Sequence, residues 1–234
     1  MFTHRTDPGA DGVGVAFTSA EIDLGDRQDA AHRAAAFARV SAALGVPIAV
    51  VRQVHGADVC VVEAAPAASG LIDLTATKAD ALVTTQLGIG LAVRVADCVP
   101  ILLADAAGTV AAAVHAGREG LLAGVIGAAV AAVRARTDAA LQAWVGPHIC
   151  GACYEVPDAM ATDAAARLGV GVPTTRWGTL GIDLGGAARH QLEGFGVAVA
   201  EVGECTLTAE HLHSHRRNPA AGRLAGIVWL AGTH

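Results

Sequence analysis

Segments in which apolar residues recur with a helical period are interspersed along the chain with shorter apolar runs that end in turn residues. The helical period is clearest in residues 29–44, where Phe37, Val40 and Leu44 share one face of an alanine-rich stretch that Gly45 and Pro47 then stop. Three further segments have the length and spacing of helices, namely residues 121–136, 158–168 and 186–193. The pattern therefore predicts helices distributed along the whole chain.

Short runs of β-branched and other apolar residues predict the strands. In residues 47–63 two such runs flank a polar turn that starts at His55, and residues 79–117 contain several more, separated by turns with Gly or Asp. Residues 223–230 predict a last apolar strand. Because strands and helices do not alternate strictly, we expect an α/β (α+β-like) fold with mixed β-sheets flanked by helices, and neither a Rossmann fold nor a TIM barrel.

Composition indicates a globular protein with the size of one large domain or two small ones, and the mixed order of strands and helices favours one. The 234 residues are 53% hydrophobic and 16% charged, enough to bury one substantial core, so we expect a single domain over residues 1–234. The net charge of −6 argues against nucleic acid as a partner. Apolar runs are interrupted before the ~18 to 20 residues of a membrane span, and the N-terminus lacks an apolar signal segment. We expect a cytoplasmic monomer without membrane contacts.

Three polar side chains interrupt the apolar strands at or near their ends: His55 in RQVHG, Cys98 in VADCVP and His115 in AAVHAG. Imidazole and thiolate are ligands that Zn²⁺ prefers, and three protein ligands leave one coordination position for water or substrate. Their spacing matches no local zinc motif, so only the fold could bring them together. Buried histidines with ordinary hydrogen bonds and an inert thiol remain the alternative.

The remaining cysteines carry weaker signals. Five cysteines in a chain without an export signal do not indicate a disulfide framework. Cys150 and Cys153 have the C-x-x-C spacing of a redox pair or of half a zinc site. They follow a Gly-Pro loop and do not begin a helix, which is where a thioredoxin-like motif belongs.

Seven motifs in order resemble one bacterial family: RQVHGADV, ADALVTT, VADCVPILLAD, AVHAGREGLLAGV, GPHICGACYEV, CTLTAEHLHSHRR and GRLAGIVWL. This is the YfiH or DUF152 family, also called laccase-like multicopper polyphenol oxidase or peptidoglycan editing factor, whose fold has been likened to a bacterial toxin deamidase. The resemblance implies that His55, Cys98 and His115 are metal ligands, for zinc or for copper. It further implies phosphorolysis of adenosine, guanosine, inosine and methylthioadenosine, with adenosine deamination beside it.

Such a reaction requires groups that hold phosphate and move a proton. Arg52, Arg216 and Arg223 are candidate phosphate ligands, with Arg52 and Arg216 preferred, because guanidinium groups form charge-assisted hydrogen bonds with phosphate. Asp97 is a candidate proton donor beside Cys98, and Glu119 is another. Each of these residues is also an ordinary turn carboxylate or surface arginine. The chain departs from the family's usual HAGWRG, since it has HAGREG at residues 115–120, which brings substrate handling there into question.

Two other kinds of function stay open at this stage. The first is a metal-free Cys/His hydrolase acting on a peptidoglycan precursor, with Cys98 as nucleophile and His115 as its base. The second is a non-enzymatic, metal-stabilised binding protein linked to the cell envelope. Iodoacetamide inactivation that persists without metal would favour the first, and a folded protein without nucleoside turnover would favour the second.

Overall fold

The computed structural model describes residues 1–63 and 70–231. The strands are β1 (Phe2–Thr6), β2 (Val13–Thr18), β3 (Ile48–Arg52), β4 (Val59–Val61), β5 (Leu71–Lys78), β6 (Ala81–Thr84), β7 (Gly90–Val95), β8 (Val99–Asp105), β9 (Ala111–Ala116), β10 (Leu141–Val145), β11 (Ala198–Glu201) and β12 (Leu224–Leu230). The helices are α1 (Ala30–Leu44), α2 (Arg118–Ala123), α3 (Val125–Arg134), α4 (Asp158–Leu168) and α5 (Leu184–Gly194).

The described strands form two mixed sheets. Sheet 1 has the order β1-β2-β12-β7-β3-β5, and sheet 2 has the order β11-β10-β8-β9-β6-β4. In sheet 1, β3 lies parallel to both β5 and β7, whereas the β1, β2, β12 and β7 neighbours are antiparallel. In sheet 2, β10 and β11 are parallel, as are β4 and β6, around an antiparallel centre.

The two sheets pack face to face between two layers of helix. Their inner faces meet through alternating residues such as Val15, Leu91 and Val228 of sheet 1 and Leu102 and Ala113 of sheet 2. Helix α1 covers the outer face of sheet 1, and α2 to α5 cover the outer face of sheet 2. Because both faces of the central strands are buried, these strands are continuous apolar runs, as in β8.

The helix boundaries follow local chemistry. Asp29 caps α1 by accepting hydrogen bonds from two backbone N–H groups of the first turn, and Gly45 ends the helix in the left-handed region, as the sequence predicted. The prediction of one helix over residues 121–136 was wrong in its continuity. Gly124 has φ 86° and separates α2 from α3, so the chain turns a corner there.

The connection between β7 and β8 determines the position of Cys98. Strand β7 belongs to sheet 1 and β8 to sheet 2, so residues 96–98 carry the chain from one sheet to the other. Asp97 in this turn has φ 91°, a conformation that residues other than glycine seldom adopt. Cys98 therefore lies at the seam between the sheets.

The predicted fold class is confirmed: the chain is an α/β protein with two mixed sheets flanked by helices. The expectation of a single domain over residues 1–234 stays a prediction, and its residues 64–69 and 232–234 lie outside the described residues. No helix in the described part of the chain is long and apolar enough to cross a membrane.

Candidate active site

The structure brings His55, Cys98 and His115 together, although they are far apart in sequence. His55 follows β3 of sheet 1, Cys98 precedes β8, and His115 lies on β9 of sheet 2. The His55 Nε2 and Cys98 Sγ atoms are 3.9 Å apart, and the two imidazole rings meet edge to face at 4.7 Å between centroids. One donor atom from each side chain lies within 4.8 Å of the other two.

The turn that carries His55 is held by a buried carboxylate. Asp80 lies immediately before β6, is fully buried, and accepts hydrogen bonds from the backbone N–H groups of Val54, His55 and Gly56 at 2.7–3.2 Å. His55 itself has φ 62°, so its backbone occupies the left-handed region. The three N–H groups that converge on one carboxylate compensate for that strain and fix the imidazole in place.

The same carboxylate orients the second histidine. The Nδ1 atom of His115 lies 2.7 Å from Oδ1 of Asp80, and the backbone N–H of His115 donates to the Asp80 carbonyl. Nε2 is therefore the ring nitrogen of His115 left for a metal or for the Cys98 thiol. A carboxylate behind a ligating histidine fixes the tautomer and raises the basicity of the ring.

Electrostatics of the metal-free site favour a thiolate beside an imidazolium. Burial opposes the charged form of Cys98, but hydrogen bonds to His115 and His55 outweigh it and lower the pKa of the thiol to about 6. Burial likewise opposes the charged form of His115, but Asp80 and Cys98 raise the pKa of this imidazole to about 9. Between these two pKa values the metal-free pair is ionised.

A cavity of about 520 Å³ opens over this group. Besides the three candidate ligands it is lined by apolar side chains that include Ile149 and Leu184, and by the half-buried Tyr154. The arginines of its wall are Arg27, Arg94, Arg118, Arg216 and Arg223. Four carboxylates line it as well: Asp23, Asp26, Asp97 and Glu119. A concave site with apolar residues, several arginines and a metal-type donor set is suited to a small polar ligand with an anionic partner.

Comparison with known proteins decides the family. The sequence family described as multi-copper polyphenol oxidoreductase laccase matches residues 2–231. The chain belongs to this family. A crystal structure from Neisseria meningitidis, described as a DUF152 protein, superposes with a TM-score of 0.81 at 29% identity and covers 99% of both chains. The resemblance to the YfiH or DUF152 family is thereby confirmed.

Relatives within this laccase-named family are called purine nucleoside phosphorylases. One from Streptomyces coelicolor is 46% identical over 181 residues, which cover 76% of this chain and 73% of the relative. Another from Streptomyces griseus is 40% identical over 245 residues, covering 97% of this chain and 98% of the relative. The likeness to the second relative therefore extends over almost the whole of both proteins.

The donor set suits a single metal ion more than the several copper centres that the family name implies. Two imidazoles and one thiolate are a complete protein set for a zinc ion with one open position, and copper accepts the same donors. Among the described residues, the only other convergent group of three is Cys150, Cys153 and Cys205. It contains no histidine, so it does not extend the first group into a copper cluster.

Of the other predicted site residues, some line the cavity and some do not. Arg216 lines the cavity, and its guanidinium lies over the Tyr154 ring, 5.0 Å from the centroid. Arg52 ends β3 with an exposed side chain and is not among the residues that line the cavity, so the geometry supplies no contact for its predicted role. Arg223, also considered from sequence, does line the cavity.

Asp97 reaches the cavity wall, but both of its carboxylate oxygens have structural partners. Oδ1 accepts from the Thr206 hydroxyl at 2.6 Å, and Oδ2 accepts from the backbone N–H of Arg216 at 2.6 Å. Ile149 N–H donates to the Asp97 carbonyl. These bonds join three chain segments around Cys98, which favours positioning over proton transfer as the task of Asp97.

The two residues at which this chain departs from HAGWRG, Arg118 and Glu119, form an ion pair with each other. Arg118 begins α2 and lines the cavity, and its guanidinium pairs with the carboxylate of the neighbouring Glu119. It also contacts the sulfur of Met160 on α4. The chain therefore presents an arginine from the first of the two exchanged positions, with an internal counter-ion beside it.

Sequence reasoning missed two residues that support the site. Asp80 is part of the ADALVTT motif, and a carboxylate directly before a fully buried strand was the available signal. Gln53 was also missed: its amide nitrogen donates to the Arg94 carbonyl and its amide oxygen accepts from the Arg94 N–H, both at 2.8 Å. This pair of bonds connects the end of β3 to β7, and hence connects His55 with the strand that leads to Cys98.

Alkylation of the metal-free protein by iodoacetamide is expected to proceed at Cys98 with a pH midpoint of about 6, against 9.0 for an ordinary thiol. The thiolate that reacts is present above that pH and is lost as the pH falls through it. Mass spectrometry of peptides gives the rate at each cysteine. Cys60, whose pKa is raised by burial, serves as the internal reference. A midpoint for Cys98 equal to that of Cys60 would contradict the thiolate-imidazolium pair.

Gly117 is required for close approach between the ligands. A Cβ atom there would lie 2.9 Å from Cδ2 of His55 and 3.0 Å from Sγ of Cys98. Gly117→Ala is expected to push these side chains apart and to weaken metal binding by about 10-fold or more, comparable to the loss of a group that orients a ligand. Competition with a chromophoric chelator measures this affinity. Gly171→Ala is the matched control, because a Cβ at Gly171 meets nothing within 4 Å.

Proposed function

We propose that this protein is a zinc-dependent purine nucleoside phosphorylase acting on adenosine, guanosine, inosine and methylthioadenosine, with adenosine deamination as a second activity. One observation carries the proposal: arginines that form no ion pair within the described residues line the same cavity of about 520 Å³ as His55, Cys98 and His115. The names of the Streptomyces relatives support purine nucleosides as the substrate class. We further propose that the enzyme works as a cytoplasmic monomer.

The phosphate site is proposed from the charge balance of the cavity wall. Arg94 pairs with Asp26 and Arg118 pairs with Glu119, so these two charges are compensated. The guanidinium groups of the other three bond to backbone carbonyl oxygens, and in the described residues none of the three forms an ion pair; they are Arg27, Arg216 and Arg223. Asp23 and Asp97 also line the cavity but form no ion pair with these three arginines, whose guanidinium charge therefore favours a phosphate anion there.

For phosphorolysis the cavity would hold both reactants close together, since the Arg216 guanidinium lies over the Tyr154 ring. An oxygen of phosphate attacks C1′ of the ribose, and the bond from C1′ to the purine nitrogen breaks with its electron pair leaving on the base. Arg216 and Arg223 hold the attacking anion, while Tyr154 and Ile149 offer an apolar wall for the purine. Because both reactants are already bound and oriented, their translational and rotational entropy is lost on binding and not in the transition state.

For deamination, a zinc ion held by His55, Cys98 and His115 would supply Lewis-acid activation of water. The chain's own contribution is to keep that set in place. Asp80 fixes the His115 ring through Nδ1 and the His55 turn through its N–H groups. Asp97 holds the turn before Cys98 against the Arg216 segment.

Adenosine incubated with and without phosphate, with products separated by chromatography, tests the proposal. Adenine and ribose 1-phosphate that form only with phosphate indicate phosphorolysis, and inosine indicates deamination. Arg216→Met is expected to raise the KM for phosphate more than the KM for adenosine. Arg167→Met, on the exposed side of α4, is the control. No product from any of the four nucleosides in the zinc-loaded enzyme would reject the proposal.

A second candidate rests on the order Cys98, His115, Asp80 along one chain of contacts. A thiolate that contacts an imidazolium, which in turn contacts a buried carboxylate, is the arrangement of a Cys/His hydrolase. In that case the Cys98 thiolate attacks a carbonyl carbon, as in an amide of a peptidoglycan precursor, and His115 protonates the nitrogen as the C–N bond breaks. Water then hydrolyses the resulting thioester, which releases the acid and restores the thiolate and the imidazolium. Amide hydrolysis that persists after complete metal removal, and is abolished by iodoacetamide, would favour this candidate over the phosphorylase.

A further inference from the structure

A second convergent group lies outside the cavity: the side chains of Cys150, Cys153 and Cys205. Their Sγ atoms all lie within 4.8 Å of one another. Cys150 and Cys153 belong to the turn that follows β10, and Cys205 belongs to the segment after β11. Cys153 is buried, while the other two are half-buried, so the group can be reached from solvent on one side.

The separations suit a thiophilic metal ion. Thiolates bound at ~2.3 Å around one zinc ion lie roughly 4 Å from each other. Sulfur atoms within 4.8 Å need only a small inward rotation to reach that spacing. The C-x-x-C pair supplies two ligands from one turn, and Cys205 supplies the third from a distant segment, which is the way a structural metal site joins two parts of a chain.

The backbone already stabilises a negative charge on one of the three sulfurs. The N–H of Cys150 donates to Sγ of Cys205 at 3.4 Å. A thiolate is the form of cysteine that binds metal.

We propose that Cys150, Cys153 and Cys205 form a second metal site that binds one Zn²⁺ through three thiolates, with its fourth position open to solvent. The site is independent of the catalytic metal that the proposed function requires. A metal there joins the turn after β10, which supplies Ile149 and Tyr154 to the cavity, to the segment that begins at Cys205. Its task is structural.

One further residue, Thr206, connects the proposed thiol site to the candidate active site. Thr206 follows Cys205, is fully buried, and donates its hydroxyl to Asp97, next to Cys98. Its N–H donates to the His148 carbonyl, close to Cys150. Loading the thiol site is therefore expected to raise the melting temperature of the protein.

Zinc stoichiometry in a Cys98→Ala background tests the proposal, because that substitution removes a ligand of the first site. Native mass spectrometry of reduced protein is expected to find one zinc ion in Cys98→Ala and none after Cys150→Ser or Cys205→Ser is added. Cys60→Ser, outside the group, is the matched control and should leave the ion bound. In cobalt-substituted Cys98→Ala protein, thiolate-to-metal charge-transfer absorption is expected, and the added serine removes it.

Folding is checked on the same variants. Metal-free Cys98→Ala protein that also carries Cys205→Ser should melt at the temperature of metal-free Cys98→Ala protein. In this background, zinc should raise the melting temperature only where Cys150, Cys153 and Cys205 are all present. Two results would overturn the proposal. One is a Cys98→Ala protein that binds no zinc or cobalt after reduction. The other is a disulfide among these cysteines that reforms in air even with zinc in excess, which would assign the group to thiol exchange.

Discussion

Replacing Cys98 with alanine is expected to remove one metal ion per chain and to abolish nucleoside turnover. The thiolate is the softest donor of its set and lies 3.9 Å from His55 Nε2, so its loss leaves two imidazoles that cannot hold zinc in a three-ligand site. Elemental analysis measures the metal, and product chromatography measures turnover, which is expected to fall to the level of buffer alone.

Cys60→Ala is the control for this experiment. Cys60 lies on β4, in the same sheet as β8, and is absent from both convergent groups. It should leave metal content and turnover at the values of the unmodified protein. If Cys98→Ala kept the full metal content, the assignment of Cys98 as a ligand would be wrong. If metal were lost but turnover persisted, the metal would have no part in the reaction.

Asp80→Asn is expected to weaken zinc binding by about 10- to 100-fold, although Asp80 contacts no metal itself. The substitution replaces one acceptor oxygen by an NH₂ group in a buried site where three backbone N–H groups and the His115 ring converge. His115 thereby loses the partner that fixes its tautomer, and the His55 turn loses its anchor. A chelator competition assay measures the affinity.

The same change should raise the alkylation midpoint of Cys98 in metal-free protein. Asp80 supports the positive charge on His115, and His115 in turn lowers the pKa of the thiol. Asp58→Asn is the control, since Asp58 is exposed and only its backbone carbonyl contacts Asp80. An Asp80→Asn protein that folds, binds zinc with unchanged affinity and keeps the Cys98 midpoint would show that the carboxylate is dispensable.

Much of the architecture was accessible from the apolar pattern. Helix α1 was predicted to its last residue because Asp29 and Gly45 cap it with side-chain and backbone conformations that short-range sequence encodes. The break at Gly124 was not predicted. The helical spacing of apolar residues continues across it, through Leu121, Val125 and Ile126, which all lie in the core beside sheet 2.

The three candidate ligands could be picked out from the sequence, whereas the residues that hold them in place could not. His55, Cys98 and His115 stood out because they interrupt apolar strands, whereas the bond between Asp80 and His115 spans 35 residues and leaves no local spacing. Asp97 was noticed as a carboxylate, but its partner Thr206 is 109 residues away. Arg52 was chosen for its charge alone, and its exposed side chain is not among the residues that line the cavity. Pairings of this kind depend on sheet register, which only the assembled fold defines.

The position of β12 has a consequence for the order of folding. This strand comes last in sequence but lies between β2 and β7 at the centre of sheet 1. During synthesis the β1-β2 hairpin and the β7-β3-β5 group therefore remain unjoined until residues 224–230 have left the ribosome. Contacts of such long range form slowly. Acquisition of metal at the seam between the sheets would thus report that a newly made chain has finished folding.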